Sequence, residues 1–469
     1  MSRVPLPALA VAGWLILAGP ARAQIVDPLI RAAGTPPQRA VAVVVAPPRL
    51  CQELVQQFSG ATGARGDLRD RCTELVVAAD NPSLQSQVQA GLQAMAPEEV
   101  PTQGTVSLGM SALQTALVRD RLEELRGGAN GLTVGGMTVD LRKPRVPGQL
   151  VASLSPGVVL AAQAQEAPES FPRFGIFLNG SLAFTDKDTT AREAGFDSTS
   201  VAVTGGVDYR IMPNLIVGLS LGYTSIDTDL SAPSGRSLDS DAYSASLYGT
   251  YYVYSAFYVD ATVSGGLTSL DSKRGIQYSI PAVSGGTTTV DQTATGETDG
   301  TFYSLGASAG YDFTFGGFTL SPFGRVIYTR TETDAYRETI PGSDPGFGLP
   351  LDVAAQDVDS LLTILGAQVV YPIVTRHAVL APLVRFEWAH EFLNDQRQIS
   401  SQFQEDPTPD ERTTIQFDTD SPDRDFFTLG AGVSATFRGG ISAFALYETV
   451  LGFRDVTSHR VTAGVRYAF

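Results

Sequence analysis

The sequence predicts a mainly β protein, an antiparallel transmembrane β-barrel of about twelve strands preceded by a small α-helical region. Three observations predict it. From Phe174 to the end, apolar and polar residues alternate with a period of two. The connections between these segments are alternately short and long. After the first residues, no apolar run reaches the ~18–20 residues a membrane helix needs.

Residues 1–23 read as a secretory signal peptide. Arg3 supplies the positive start, Leu9 to Ala18 the apolar centre, and Ala21-Arg22-Ala23 a small-x-small site with cleavage between Ala23 and Gln24. No cysteine follows the cut, so lipoprotein processing is not expected. An exported chain without a membrane helix can still span a bilayer as a closed barrel, in which every backbone group is paired.

Residues 24–130 are rich in Gln, Ala, Leu and Arg and poor in aromatics. Helices are expected over Cys51–Phe58, Asp67–Ala79, Pro82–Met95 and Thr105–Arg126. Asn81 caps the third, with Pro82 at its first position. Gly127 and Gly128 stop the fourth, and Leu113, Leu117, Val118, Leu122 and Leu125 give it one apolar stripe. Cys51 and Cys72, an even count in an oxidising compartment, read as one disulfide joining the first two of these helices. Closing that loop is worth roughly 3 kcal/mol. A two-cysteine metal site is the alternative, and no histidine lies nearby to complete it. Arg65-Gly66-Asp67 spells an adhesion tripeptide, but beside a helix start it reads as N-capping. Residues 131–170 form a linker in which Ser155-Pro156 can cap a helix running through Gln165.

Residues 171–469 supply the strands. Val201 to Tyr209, Leu215 to Tyr223, Phe257 to Val263, Tyr303 to Phe313 and Phe427 to Phe437 alternate most clearly. Phe174–Phe184, Ala242–Tyr254, Phe318–Tyr328, Ser360–Tyr371, Leu383–Phe392 and Ile441–Val450 join them, the last fitting either phase. In the closing strand, Val461, Ala463, Val465, Tyr467 and Phe469 form one face, and Arg460, Thr462, Gly464, Arg466 and Ala468 the other. A charge facing lipid near the midplane costs roughly 2–4 kcal/mol, and both arginines avoid that face. Tight turns are expected at Met212–Asn214, Tyr254–Ala256, Gly316-Gly317, Pro372–Arg376 and Arg438–Gly440. Long loops are expected at Thr185–Asp197, Asp227–Ser240, Ser269–Gly300, Thr331–Asp357 and Leu393–Asp425. Twelve strands put both barrel termini at the short-turn end.

Pro382-Leu383-Val384-Arg385-Phe386-Glu387-Trp388-Ala389-His390-Glu391-Phe392 resembles the signature strand of the autotransporter β-domain. The Gly-rich Leu429–Phe437, the Tyr447 strand and Val461–Phe469 extend the resemblance over 171–469. It implies a Gram-negative outer-membrane location and a monomeric barrel. Periplasmic chaperones and the barrel assembly machinery are the implied partners, with Tyr467 and Phe469 as the assembly signal. It also implies a lumen helix before the first strand, for which Val158–Ala164 is the candidate; a periplasmic tether is the alternative. Residues 24–130 then stand where the family carries its passenger, without the usual β-helix repeats. The Asn-Asn site that some members use for self-cleavage is absent before the first strand, so the chain is expected to stay intact. The expected function is to anchor, and to translocate, this short helical segment. The alternative is a pore or adhesin-like barrel whose helical segment stays in the periplasm.

A net charge of −16 disfavours nucleic acid and anionic lipid surfaces as partners. No Gly-Asp-Ser-Leu block, Gly-x-Ser-x-Gly elbow or His-Glu-x-x-His helix is present, so no enzyme, cofactor or metal is expected. His377, His390 and His459 fall at strand ends, where a membrane-interface role fits. Arg385, Glu387, Glu391, Arg460 and Arg466 share the lumen phase and read as a salt-bridged lining.

Overall fold

The computed structural model describes residues 27–128, two short strands at Leu132–Val134 and Met137–Val139, and residues 173–468 apart from 232–233, 255 and 438–440. The Ala23/Gln24 cleavage site, the candidate helix Val158–Ala164, Phe469 and the turn at 438–440 lie outside these residues.

Twelve antiparallel strands close the barrel. They are β1 Phe174–Lys187, β2 Phe196–Met212, β3 Leu215–Leu230, β4 Ser237–Tyr252, β5 Phe257–Pro281 and β6 Thr287–Tyr311. After them come β7 Phe318–Thr333, β8 Gln356–Val370, β9 Ala378–Glu391, β10 Asp425–Phe437, β11 Ile441–Leu451 and β12 Val456–Ala468. Closure comes from β12 pairing with β1, from Ala468 opposite Gly175 to Val456 opposite Lys187. The period of two decides what each side chain meets. On β3, Leu219 and Leu221 are 59% and 72% exposed on the outer wall, while Ser220 between them is 4% exposed. In β11, Tyr447 points out and Glu448 in, which resolves the phase of Ile441–Val450.

Three predicted loops are corrected. Ser269–Gly300 is not a loop: β5 and β6 pair without a break to Pro281 opposite Thr287, leaving only a short turn. A bilayer needs ~9–11 residues of tilted strand, so much of this hairpin of two 25-residue strands projects beyond the apolar band. There its outer face is polar and charged, with Ser269, Asp271, Lys273, Gln277, Asp291 and Glu297 exposed, because no lipid selects for apolar residues. The loops Thr331–Asp357 and Leu393–Asp425 contribute a separate four-stranded sheet made of Tyr336–Arg337, Leu351–Val353, Gln398–Phe403 and Ile415–Asp418.

The N-terminal helices are α1 Pro28–Ala32, α2 Pro36–Val45, α3 Leu50–Gln57, α4 Gly63–Ala79, α5 Gln85–Met95 and α6 Glu99–Gly128. The first two are additions to the predicted four. Thr35 and Gln38 form a capping box around Pro36 at the start of α2, and burial holds its valine-rich end helical. A single 3₁₀ turn, Pro82–Leu84, leads into α5, and Asn81 caps it as expected. Cys51 and Cys72 are bonded with their Cα atoms 5.8 Å apart, joining α3 to α4, the first two of the four predicted helices. Asp67 is not an N-cap: Thr62 holds that position, and Gly66 and Asp67 are buried inside α4. The Asp67 carboxylate accepts from the backbone N–H groups of Gly346 and Gly348, each at 2.9 Å. The tripeptide is thus an internal brace.

Helices α1–α5 form a cap on the long-loop end of the barrel. Its core is shared: Val41, Leu50, Leu54, Leu68, Leu75 and Leu92 pack with Ile276, Ile280 and Val290 of the hairpin. Leu351, Ile399, Phe403 and Ile415 of the small sheet complete that core. The predicted helical region is therefore two structures, a cap over 28–95 and α6, which leaves the cap and enters the barrel. It starts at Glu99 rather than Thr105, with Pro101 tolerated in its first turn.

Candidate functional site in the barrel lumen

The site is built from α6 and the inner wall. Along α6, Gly104, Ser107, Gly109, Ser111, Ala112, Thr115 and Ala116 keep the helix slim where it passes the strands. Val106 and Met110 pack on Ile226, Leu238, Leu270 and Phe302. Further down, Val118, Leu122 and Leu125 pack on Phe177, Ile216 and Tyr248. The predicted apolar stripe thus meets barrel wall rather than other helices.

One strand marks both ends of the passage. Glu99 sits 3.6 Å from Arg274 of β5, and Arg126 pairs with Asp260 of the same strand. From Glu99 to Arg126 the helix rises on the order of 40 Å at ~1.5 Å per residue. From Arg274 to Asp260 the strand covers on the order of 46 Å at ~3.3 Å per residue. The two lengths match, so α6 runs lengthwise through the lumen from the long-loop end to the short-turn end.

At the upper end two barrel arginines hold the corner between α5 and α6. Arg236 donates to the Gln93 carbonyl at 3.0 Å, and Arg274 donates to Ala94 at 3.1 Å and Leu349 at 3.0 Å. Cations suit the last carbonyls of α5, and acids suit the first turn of α6. Glu98 and Glu99 supply those acids, each 3.5 Å from Arg236. Arg274 also donates to Glu338 at 2.8 Å. Burial pushes the Glu99 carboxyl up to about 7, against the pull of Arg236 and Arg274. Burial raises Glu98 as well, opposed by Arg236.

Gln114 fixes the middle. Its Nε2 donates to the Tyr223 carbonyl at 3.0 Å and to Thr224 Oγ1 at 2.6 Å, while its Oε1 accepts from Thr204 at 2.6 Å. Gly222 leaves room for it, since a Cβ there would collide with the Gln114 amide and the Ser244 hydroxyl.

The lower third is a charged belt. Arg119 lies 3.2 Å from Glu448 and 3.7 Å from Glu387. Arg121 pairs with Asp208 and, at 2.7 Å, with Glu124, and lies over the Phe177 ring. Arg126 lies 4.1 Å from the centre of the Tyr258 ring. Glu123 takes Arg385 and, at 3.6 Å, Arg325. Removing one partner of a buried pair leaves an uncompensated charge, so the belt fixes the depth and rotation of α6.

Three of the five predicted lumen charges converge on this belt: Arg385 pairs with Glu123 and Glu448, Glu387 with Arg119 and Arg325, and Arg460 with Glu448. Glu391 does not reach α6. It accepts from the backbone N–H groups of Leu361 at 2.8 Å and Leu393 at 2.9 Å, bracing the rim. Arg466 is buried against a cavity of about 140 Å³ at the short-turn end and forms no ion pair among the described residues. Tyr467 is half exposed on the outer wall. His390 bonds Asp425 at 2.9 Å, His459 bonds the Tyr447 hydroxyl at 2.9 Å, and His377 is exposed at the short-turn end. β10 and β11 separate the strands of His390 and His459. Asp208, Asp260, Arg325 and Glu448, with the charged residues of α6, were not predicted. Their signal is the run Arg119-Asp120-Arg121-Leu122-Glu123-Glu124-Leu125-Arg126, too charged for a solvent-independent helix core.

A family model described as the autotransporter β-domain matches residues 176–448. Outer membrane protein A of Rickettsia conorii is 23% identical over 270 residues, covering 56% of this chain and 12% of that protein. The chain thus spans about an eighth of the length of this relative. Among solved structures, the translocator domain of the autotransporter NalP from Neisseria meningitidis is similar with a TM-score of 0.47 and 15% identity, covering 69% of this chain and 94% of that one. The β domain of the Bordetella autotransporter BrkA has a TM-score of 0.41 and 20% identity, covering 63% of this chain and 100% of that one.

Proposed function

The chain belongs to the autotransporter β-domain family, and from that premise we propose that this outer-membrane barrel carries its own N-terminal residues through the lumen and holds them at the cell surface. The supporting observation is the course of α6. It fills the lumen lengthwise, with the cap at the end opposite both barrel termini. Short turns and both termini mark the periplasmic end of such barrels, so the cap faces outward. Outward export followed by docking gives this arrangement directly: α6 is the part still inside when the cap folds on the loops. Tyr467 on the outer face of β12, and Phe469 two residues on in the sequence, are the residues offered to the assembly machinery.

The product of this export is an anchored cap, not a released protein. Glu387 and Glu448 are each held between arginines, which suits a structural role in the belt. One observation favours a second activity, passage of small solutes. Cavities of about 310 and 320 Å³ flank α6 and share Arg119, Glu387 and Arg460.

An epitope placed ahead of Asp27 tests the orientation. Antibody should bind it on intact cells; binding only after the outer membrane is permeabilised overturns the proposal.

A further inference from the structure

Beyond its core, the cap carries a groove of about 450 Å³ where α2 meets the 188–195 loop and the strand Ile415–Asp418. Three arginines line it: Arg39, Arg49 and Arg192. Arg49 donates to the Arg412 carbonyl at 3.1 Å, and Arg192 to the Asp418 carbonyl at 3.4 Å. A carbonyl positions a guanidinium without neutralising it. The Arg39 side chain is exposed and its guanidinium has no hydrogen bond or ion pair among the described residues. None of the three pairs with a carboxylate there, whereas Arg65, Arg69 and Arg71 of the same cap all do.

The geometry points to a binding site for a short acidic saccharide, one carrying a single carboxylate or sulfate. Guanidinium forks match the oxygens of such groups in pairs. Thr35 and Gln416 supply neutral hydrogen-bonding groups at the rim, and Val43 and Phe417 an apolar floor for a sugar face. Glu411 and Asp418 also line the groove. They accept from sugar hydroxyls and repel a second anion, which selects against highly charged chains. The net charge of −16 acts in the same direction, repelling extended polyanions such as nucleic acid. A volume near 450 Å³ falls within the ~300–1,000 Å³ range of small-ligand sites. What the groove meets in the cell follows from the orientation proposed above; binding by the purified chain does not, so the two can fail separately.

The test is calorimetric titration of the full chain in detergent with four probes: a glucuronate-containing disaccharide, its monosulfated counterpart, neutral cellobiose and inorganic sulfate. The acidic disaccharides should bind, and cellobiose and sulfate at least about tenfold more weakly. R39Q/R192Q should weaken the acidic disaccharides by about tenfold or more, as loss of charge-assisted hydrogen bonds requires. R39Q alone, at an exposed side chain, should show a smaller loss in the same direction and serves if the double variant does not fold. Equal binding of cellobiose, sulfate as tight as the disaccharides, no effect of R39Q, or no binding of any probe each overturns the site.

Discussion

Arg274 of the barrel donates to the carbonyl oxygen of Ala94 in the cap at 3.1 Å, so a strand residue finishes a helix that lies far from it in sequence. The same guanidinium holds Glu338 and faces Glu99. Arg274→Ala strands two buried carboxylates and a helix end, and breaking such a pair costs roughly 3–5 kcal/mol. The expected outcome is a cap that trypsin cuts quickly while the barrel still shows heat-modifiable migration on gels.

The corner also sets a pH dependence. Glu99 has its folded-state pKa raised from 4.5 to about 7, mainly by burial. The folded state therefore binds the proton more tightly than the unfolded one, and stability from this group is fully present below about 4.5 and falls as pH rises toward 7. Glu98, Asp67 and Glu74 are raised by burial too, with the same sign. Cap melting followed by proteolysis should occur at higher temperature at pH 5 than at pH 7.5. Glu99→Gln should flatten much of that slope; an unchanged slope would show that another group carries it.

Gly222→Val places a branched side chain where the Gln114 amide lies. Overpacking costs roughly 1–3 kcal/mol, and α6 has three polar contacts at this level to lose. Single-channel conductance in planar bilayers should rise relative to the wild type as the helix shifts. Conductance equal to the wild type would mean the wall yields instead.

Cys51→Ser with Cys72→Ser removes a link across 21 positions. The loss, roughly 3 kcal/mol, should fall on the cap alone. Differential scanning calorimetry should show the cap transition moving down and the barrel transition unmoved.

The barrel wall was legible because lipid imposes a simple rule on alternate residues, as Leu219, Ser220 and Leu221 show. The hairpin beyond Ser269 was not, because water on its outer face removes the hydropathy contrast while backbone pairing continues. In α2 the run Val43-Val44-Val45 has no helical period of its own; the surrounding core makes it helical. Leu117, Val118 and Leu122 announced a buried helix face but not its partner. Stripe periodicity is the same whether a helix packs on helices or on a barrel wall. Glu448 was hidden in a strand that fitted both phases, and only its pairing with β12 fixes it inward. Arg385, Glu387 and Arg460 were legible from phase alone; their shared focus on α6 was not.

The shared core over the barrel mouth matters for anyone who would use this chain to display foreign cargo. Exchanging residues 28–95 for another polypeptide uncovers Ile276, Ile280, Leu351 and Phe403 together, greasy surfaces that no longer have a counterpart. A usable display vector therefore requires redesigning the receiving loops along with the payload, or retaining the native helices and inserting the guest ahead of α1.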